Sequence, residues 1–424
     1  MKKSLLLFGC LLFCLSLNSQ LAAVRLFEGN SILEQDTVFT EEIKIRGNLL
    51  IPRGISLTIK PGVKITFLKS DEPGRLTVRG QLICEGEPDQ PISFSSELNL
   101  KGSWYGIYLF SEANETDPEK AHRLRSISIS LAEQAITLER GILELTDSEL
   151  TRCKNGLSLM ANAKARVNKV TFDSINTQAV TLARGGDLVL TNNTFRYNKI
   201  GVKALGGYTL QITDNYFIKN DEALKLTSAP LTTNIWNNLF EKNNYAYRAD
   251  KRCSGQLAYN RFIENNTAAY ISMQSNPHLK HNLFTKNKVA INCNRMSHPL
   301  VERNEITQNE TAVKSLLGSY PKLRWNNIYD NQTAIFLRFM SSDWLLQSAI
   351  SVEENTFEAS NNWWGEQMTE MLNQQGENFN RPDIFDGYDV PFNQDRGLLF
   401  LKQLVNYSKW LSVRSEPTYQ AAPQ

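Results

Sequence analysis

An apolar residue returns every 22 or 23 positions from Leu150 onward, at Phe172, Phe195, Phe217, Phe240, Phe262, Phe284, Ile306 and Ile328, and Phe357 follows after 29. Other columns keep step with this anchor. Two positions before it stands an asparagine (Asn193, Asn215, Asn238, Asn260, Asn282, Asn304, Asn326, Asn355). Three positions after it stands another (Asn198, Asn220, Asn243, Asn265, Asn287, Asn309, Asn331). Six after it the residue is small, from Gly156 and Gly201 to Ala312 and Ala334, and five before it lies a second apolar column, from Val167 and Leu190 to Val352. A chain with such a period stacks like units, each burying its apolar side against the next.

The apolar segments within one repeat, such as Val189-Leu190 or Ala223-Leu224-Lys225-Leu226, are too short for helices and suit strands. A strand that pairs with its own equivalent one repeat later is parallel to it, about 4.8 Å away. Three strands per repeat then coil right-handed around stacked apolar columns, with the asparagines at the bends. There the residue type tolerates left-handed backbone, and its amide can bond neighbouring backbone. Leucine-rich repeats share the period but need a Leu-x-x-Leu-x-Leu run that does not recur here. Propellers need about 40 residues per blade and antiparallel strands. The expected fold is an all-β, single-stranded right-handed parallel β-helix of about 22 residues per rung.

The pattern Asn-x-[Phe/Ile]-x-x-Asn-x-x-[Gly/Ala]-[Val/Ile/Leu] resembles the repeat of the pectin-lyase-like superfamily, especially the NosD-type branch of periplasmic copper-maturation proteins. Leu57-Thr58-Ile59-Lys60-Pro61-Gly62-Val63 is similar to the opening rung of secreted bacterial β-helices. Gln90-Pro91-Ile92-Ser93-Phe94 and Trp104-Tyr105-Gly106-Ile107 look like the next rung, and Asn361-Asn362-Trp363-Trp364-Gly365 looks like a closing one. The resemblance covers roughly residues 45 to 390. It implies the fold and leaves function open, because one β-helix hosts lyases, hydrolases, adhesins and binding proteins.

Met1-Lys2-Lys3, the apolar run Leu5 to Leu17 and Gln20-Leu21-Ala22-Ala23 read as a signal peptide over residues 1–23. The expected protein is periplasmic or secreted, with no stable membrane span, since no later stretch is long and apolar enough. Residues 24–44 are expected as an N-terminal cap, 45–365 as the helix and 366–424 as a closing segment and cap. In the last of these Leu398 to Leu411 folds back. Ala113 to Arg125 is expected as a projecting loop, and the long spacing before Phe357 marks another around Ser341 to Trp344.

Lys+Arg number 46 and Asp+Glu 44, and Lys2 and Lys3 account for the difference. A neutral body gives no electrostatic case for nucleic acid. Polygalacturonase-type hydrolysis needs clustered aspartates, and the family signatures Asn-Thr-Asp, Asp-Asp and Gly-His-Gly do not occur. Asp221-Glu222 and Glu353-Glu354 read as solvated bend charges. Arg248, Asp250, Lys251 and Arg252 lack the stacked acidic partners of a calcium-dependent lyase. No catalytic residue and no cofactor is indicated.

Two weaker constellations remain. The resemblance to the NosD-type branch draws attention to Met273 and His278 in one rung and Met296 and His298 in the next. Stacked at equivalent positions, these could converge on a soft metal. Trp236, Tyr259 and Trp325 stand just before a bend on separate rungs and could contact a sugar. Cys84, Cys153, Cys253 and Cys293 are expected as free thiols, since Cys253 and Cys293 sit about two rungs apart, roughly 10 Å. The leading expectation is a non-catalytic scaffold or binding protein for a polysaccharide or cell-envelope partner. A polysaccharide lyase or hydrolase and a NosD-like maturation factor are the alternatives.

Overall fold

The computed structural model describes residues 24–111, 117–160, 162–338, 357–386, 389 and 404–416. The chain winds as a right-handed parallel β-solenoid of about 14 turns of roughly 22 residues. A representative turn has a first strand Gln256–Ala258, a second Arg261–Ile263 and a third Thr267–Ile271. Each pairs in parallel with its equivalent on the next turn, Leu257 with Leu279, Phe262 with Phe284 and Ala269 with Ile291.

The anchor column builds the core. Phe172, Phe195, Phe217, Phe240, Phe262 and Phe284 are fully buried, with successive rings 4.7–4.8 Å apart and 2–8° from parallel. Parallel pairing in exact step sets that spacing, and each ring excludes water from the next. The small column lies where two turns approach closely. A Cβ at Gly201 would stand 2.4 Å from the Ala223 carbonyl oxygen.

Both asparagine columns are ladders. In the first, each amide oxygen accepts the backbone N–H and the Nδ2–H of the asparagine one turn earlier, from Asn193 through Asn215 and on to Asn326. The second ladder does the same from Asn198 to Asn331. The left-handed conformation, however, belongs to the residue before each ladder asparagine. Tyr259, His281, Arg303 and Trp325 have φ of 54–60° at the first corner, and Lys219, Lys242 and Lys286 have φ of 53–58° at the second. The asparagine is selected for its buried amide and not for its backbone. A third ladder at the remaining corner uses hydroxyls: Cys253 N–H donates to Ser275 Oγ, Ser275 to Ser297 and Ser297 to Ser319, at 3.1–3.2 Å.

Two expectations are corrected. The turn after Ile328 is closed by Asn362 and Trp364, not by Asn355 and Phe357: Asn326 donates to Asn362 Oδ1, and Asn327 bridges Trp363. Phe357 pairs with Val405 instead, while Val352 and Asn355 lie outside the described residues. Spacing alone could not separate these, since Asn355-x-Phe357 and Asn362-x-Trp364 both satisfy the pattern. Second, the expected loop to Arg125 ends early. His122–Arg125 is a strand between Gln81–Glu85 and Gln134–Thr146, with His122 and Leu124 buried and Arg123 and Arg125 outward. Its polar composition hid a period of two. The end of the chain carries the helix Glu366–Gln375 and a strand Ile384–Phe385 on top of Thr333–Arg338. Of the segment expected to fold back, only 404–411 is described, holding the strand Val405–Asn406. Ser341 to Trp344 lie outside the described residues.

At the other end Val24–Ile32 pairs with Glu42–Ile51. Arg25 stands in register with the core residue Ile43 and lies over the Phe27 and Phe39 rings, 4.9 and 5.9 Å from their centroids. An inward-pointing charge on a terminal strand discourages further strand addition.

Candidate functional site

The register gathers the sequence-predicted aromatics on one corner. Tyr259 and Trp325 occupy the same column, the left-handed residue before the first ladder, and Trp236 ends the strand one turn before Tyr259. Trp236 and Tyr259 meet edge to face at 6.0 Å, because the next residue in the Trp236 column is the small Ala258. Two further members of the column were missed by a search for aromatics alone: His281 and Arg303, each 22 residues on. Tyr259 stacks on the His281 ring at 5.0 Å and 10°. The Arg303 and Arg324 guanidiniums lie over the Trp325 ring at 5.4 and 4.6 Å. The result is a ridge over five consecutive turns, about 19 Å long by strand spacing. It is accessible, with Trp236 and Trp325 exposing 40% and 37% of their surface.

The ridge is cationic. Among the described residues neither Lys280 nor Arg303 makes an ion pair. Burial first, then the Arg303 and Lys280 charges, hold the His281 imidazole below its ordinary pKa. Glu302 is occupied by His278 at 2.8 Å and Arg324 at 2.9 Å.

The acidic residues are arranged differently. Asp221 accepts from Asn244 and pairs with Lys199 at 2.9 Å, and these contacts lower its pKa. Glu222 is held by Lys225 and Arg248, and Asp250 by Arg248 at 2.8 Å. Each is tied to a cation, and Asp221, held below its ordinary pKa, is the opposite of a general acid, which needs a raised one. Glu353 and Glu354 lie outside the described residues.

The methionine–histidine quartet is out of step. The serine ladder and strand pairing put Met273 level with Arg295, and Met296 level with Gln274. His278 pairs with Leu300 and reaches Glu302, while His298 Nδ1 accepts the Tyr320 N–H at 3.1 Å. The methionines are offset by one residue and the histidines by two, so the equivalence that would converge them does not hold. Among the described residues no group of three or more His, Cys, Asp or Glu side chains could hold a metal ion. Cys84, Cys153, Cys253 and Cys293 are buried free thiols, and burial raises the pKa of each.

A serine–histidine pair lies elsewhere, unmarked by any repeat. His122 is fully buried, and burial lowers its pKa to about 4. Its Nδ1 accepts the Leu82 N–H at 3.3 Å, and Nε2 faces Ser111 Oγ at 3.3 Å. A neutral imidazole whose Nδ1 is an acceptor carries its proton on Nε2. It therefore donates to Ser111 and cannot take the serine proton as a general base would. The depressed pKa makes stability depend on pH. Above about 6.5 the contribution is fully present, and it is lost as pH falls through about 4, because only the unfolded chain accepts the proton. A shift of this size corresponds to about 3 kcal/mol. Chemical-denaturation midpoints should fall steeply from pH 6.5 to 4. His122→Gln, which retains an acceptor and a donor, should flatten that fall; an unchanged profile would assign it to other groups.

A family model described as right-handed beta helix region matches residues 95–240, 155–296 and 227–363. No curated protein matches the chain significantly. Crystal structures of the periplasmic alginate epimerase AlgG are among its structural neighbours. A point-mutant form is 11% identical, with 77% of this chain and 73% of that one covered and a TM-score of 0.33. Another AlgG structure is 10% identical over the same shares, with a TM-score of 0.29. Since the three overlapping matches run unbroken from 95 to 363, the chain belongs to the right-handed beta helix family.

Proposed function

We propose that this protein is an exported, non-catalytic binder of extended glycans, which it holds along the corner formed by Trp236, Tyr259, His281, Arg303 and Trp325. The observation that carries this reading is the alignment of the ridge: five neighbouring turns present aromatic or cationic side chains at one corner, in two contacting groups, Trp236–Tyr259–His281 and Arg303–Trp325. Aromatic rings combine an apolar face with a polar tip and lose little entropy on binding. The unpaired Lys280 and Arg303 favour a ligand with carboxylate or sulfate groups, and its affinity should fall with salt. Supporting a binding role, Asp221, Glu222, Asp250 and Glu302 are each paired with a cation. The reading of residues 1–23 as a signal peptide supports a periplasmic or secreted location. That segment lies outside the described residues, and among those described no helix is long and apolar enough to cross a membrane.

The test is affinity electrophoresis and calorimetry against a panel of neutral and acidic polysaccharides. At least one should bind, and Trp325→Ala or Trp236→Ala should weaken it by about tenfold or more, as for central aromatic anchors. Equal affinity in both variants would remove the ridge from the interaction. Polygalacturonate and alginate should gain neither unsaturated products nor new reducing ends; turnover abolished at Asp221, Glu222 or Asp250 would promote an enzyme.

A further inference from the structure

The corner column does not end at Trp325. Two more turns are stacked beyond it, and the second comes from the C-terminal segment. Trp325 N–H donates to the Asn361 carbonyl at 2.7 Å, and Asn361 N–H donates to the Lys409 carbonyl at 3.1 Å. Asn361 and Lys409 have φ of 57° and 55°, the left-handed conformation that Tyr259, His281, Arg303 and Trp325 hold at the same corner. Strand pairing agrees: Phe357 stands beside Val405 and Glu358 beside Asn406, which puts Asn361 level with Lys409.

This last turn is held from several sides. Val405 and Tyr407 are buried in the core, and Val405 N–H donates to Asp386 Oδ2 at 3.1 Å. Trp410 Nε1 donates to Asn373 Oδ1 on the helix Glu366–Gln375 at 2.9 Å, and Leu411 N–H to the Asn362 carbonyl at 3.0 Å. Past the corner Arg414 pairs with Glu305 at 2.5 Å, and Ser415 exchanges two hydrogen bonds with the Asn327 amide. Lys409 itself is exposed and makes no ion pair among the described residues. Packing therefore fixes the backbone that carries the ammonium without engaging the ammonium. Ser360 and Ser408 precede Asn361 and Lys409, so this end of the column offers hydroxyl, amide and ammonium groups together.

We propose that the C-terminal segment completes the glycan site, and that the ligand is an anionic polysaccharide long enough to run from Trp236 to Lys409. This inference rests on the reading of the ridge as a glycan site. The seven turns involved cover about 29 Å by strand spacing. Arg303 and Lys409 stand three turns apart in one column, with the Trp325 ring and the Asn361 amide between them. Carboxylate or sulfate groups that recur along a chain can meet a cation at both places, while the amide and the serines bond sugar hydroxyls. A neutral chain gains nothing from Lys409, and a short acidic one does not reach from end to end. On a long chain each added contact is intramolecular once the first has formed.

The test uses the full chain at low ionic strength, titrated by calorimetry with polygalacturonate and dextran sulfate, each fractionated below and above about 29 Å of extended length. The long fraction of at least one should bind several-fold more tightly than the short. Lys409→Glu, at an exposed position, should weaken the long fraction by about tenfold and the short one by no more than about twofold. Lys409→Arg should keep the affinity, and so should Lys288→Glu, the same change of charge beside the second ladder. Long-fraction binding that is undiminished in Lys409→Glu, lowered equally in Lys288→Glu or lost in Lys409→Arg would overturn the inference, as would binding of neither polyanion. A neutral polysaccharide bound through Trp325 would in that case leave the ridge reading standing, whereas no bound polysaccharide at all would overturn both.

Discussion

Phe217→Ala should destabilise the protein by about 3–5 kcal/mol, the range for emptying a fully buried aromatic position. Phe217 has rings on both sides, Phe195 at 4.7 Å and Phe240 at 4.8 Å, and strand pairing on both sides holds the gap open. The neighbouring rings cannot close on each other without breaking ladder hydrogen bonds, so the cavity persists. Phe217→Leu, which refills most of the volume, should recover more than half of the loss. Denaturant midpoints compared at constant m-value decide the matter. A loss below about 1 kcal/mol for Phe217→Ala would mean that the stack relaxes freely.

Asn260→Ala is the second large effect. The amide Nδ2 donates to the Ile235 and Ala258 carbonyls and to Asn282 Oδ1, and its Oδ1 accepts the backbone and side-chain N–H of Asn238. Removing it leaves a backbone N–H and a carbonyl without partners in an interior that water does not reach. The expected cost is about 3 kcal/mol, from two or more orphaned groups at 1–3 kcal/mol each. Lys288→Ala, on the exposed face, should cost less than about 0.5 kcal/mol. Glu241 is unsuitable as that reference, because it accepts from the Tyr216 hydroxyl at 2.6 Å and pairs with Lys242. Equal midpoints for Asn260→Ala and Lys288→Ala would remove the ladder as a source of stability.

These two residue types also show why the architecture was readable. A buried position repeated every turn must satisfy the same physical demand each time, whether to fill a ring-sized volume or to bond a backbone group. The demand then recurs in the sequence at a fixed period. The serine ladder was overlooked because its corner varies in content: Cys253 stands where Ser275, Ser297 and Ser319 follow. The Asn362–Trp364 closure was displaced to Phe357 because a local pattern carries no information about which of two matching segments docks.

The candidate sites divide along the same line. Trp236, Tyr259 and Trp325 were legible as bend aromatics, but His281 and Arg303 acquire meaning only from the column that stacks them between rings. The methionine–histidine quartet looked equivalent by counting from the preceding strand, and an offset of one or two residues in the register separated it. The buried Ser111–His122 pair had no sequence signal at all, and its parts are brought together by strands that pair across turns. The period by itself determined the fold, because the buried columns of a solenoid face one unchanging environment. The tertiary structure alone decided the sites, because they lie at corners and ends where each turn differs and where a single-residue shift in register changes every neighbour.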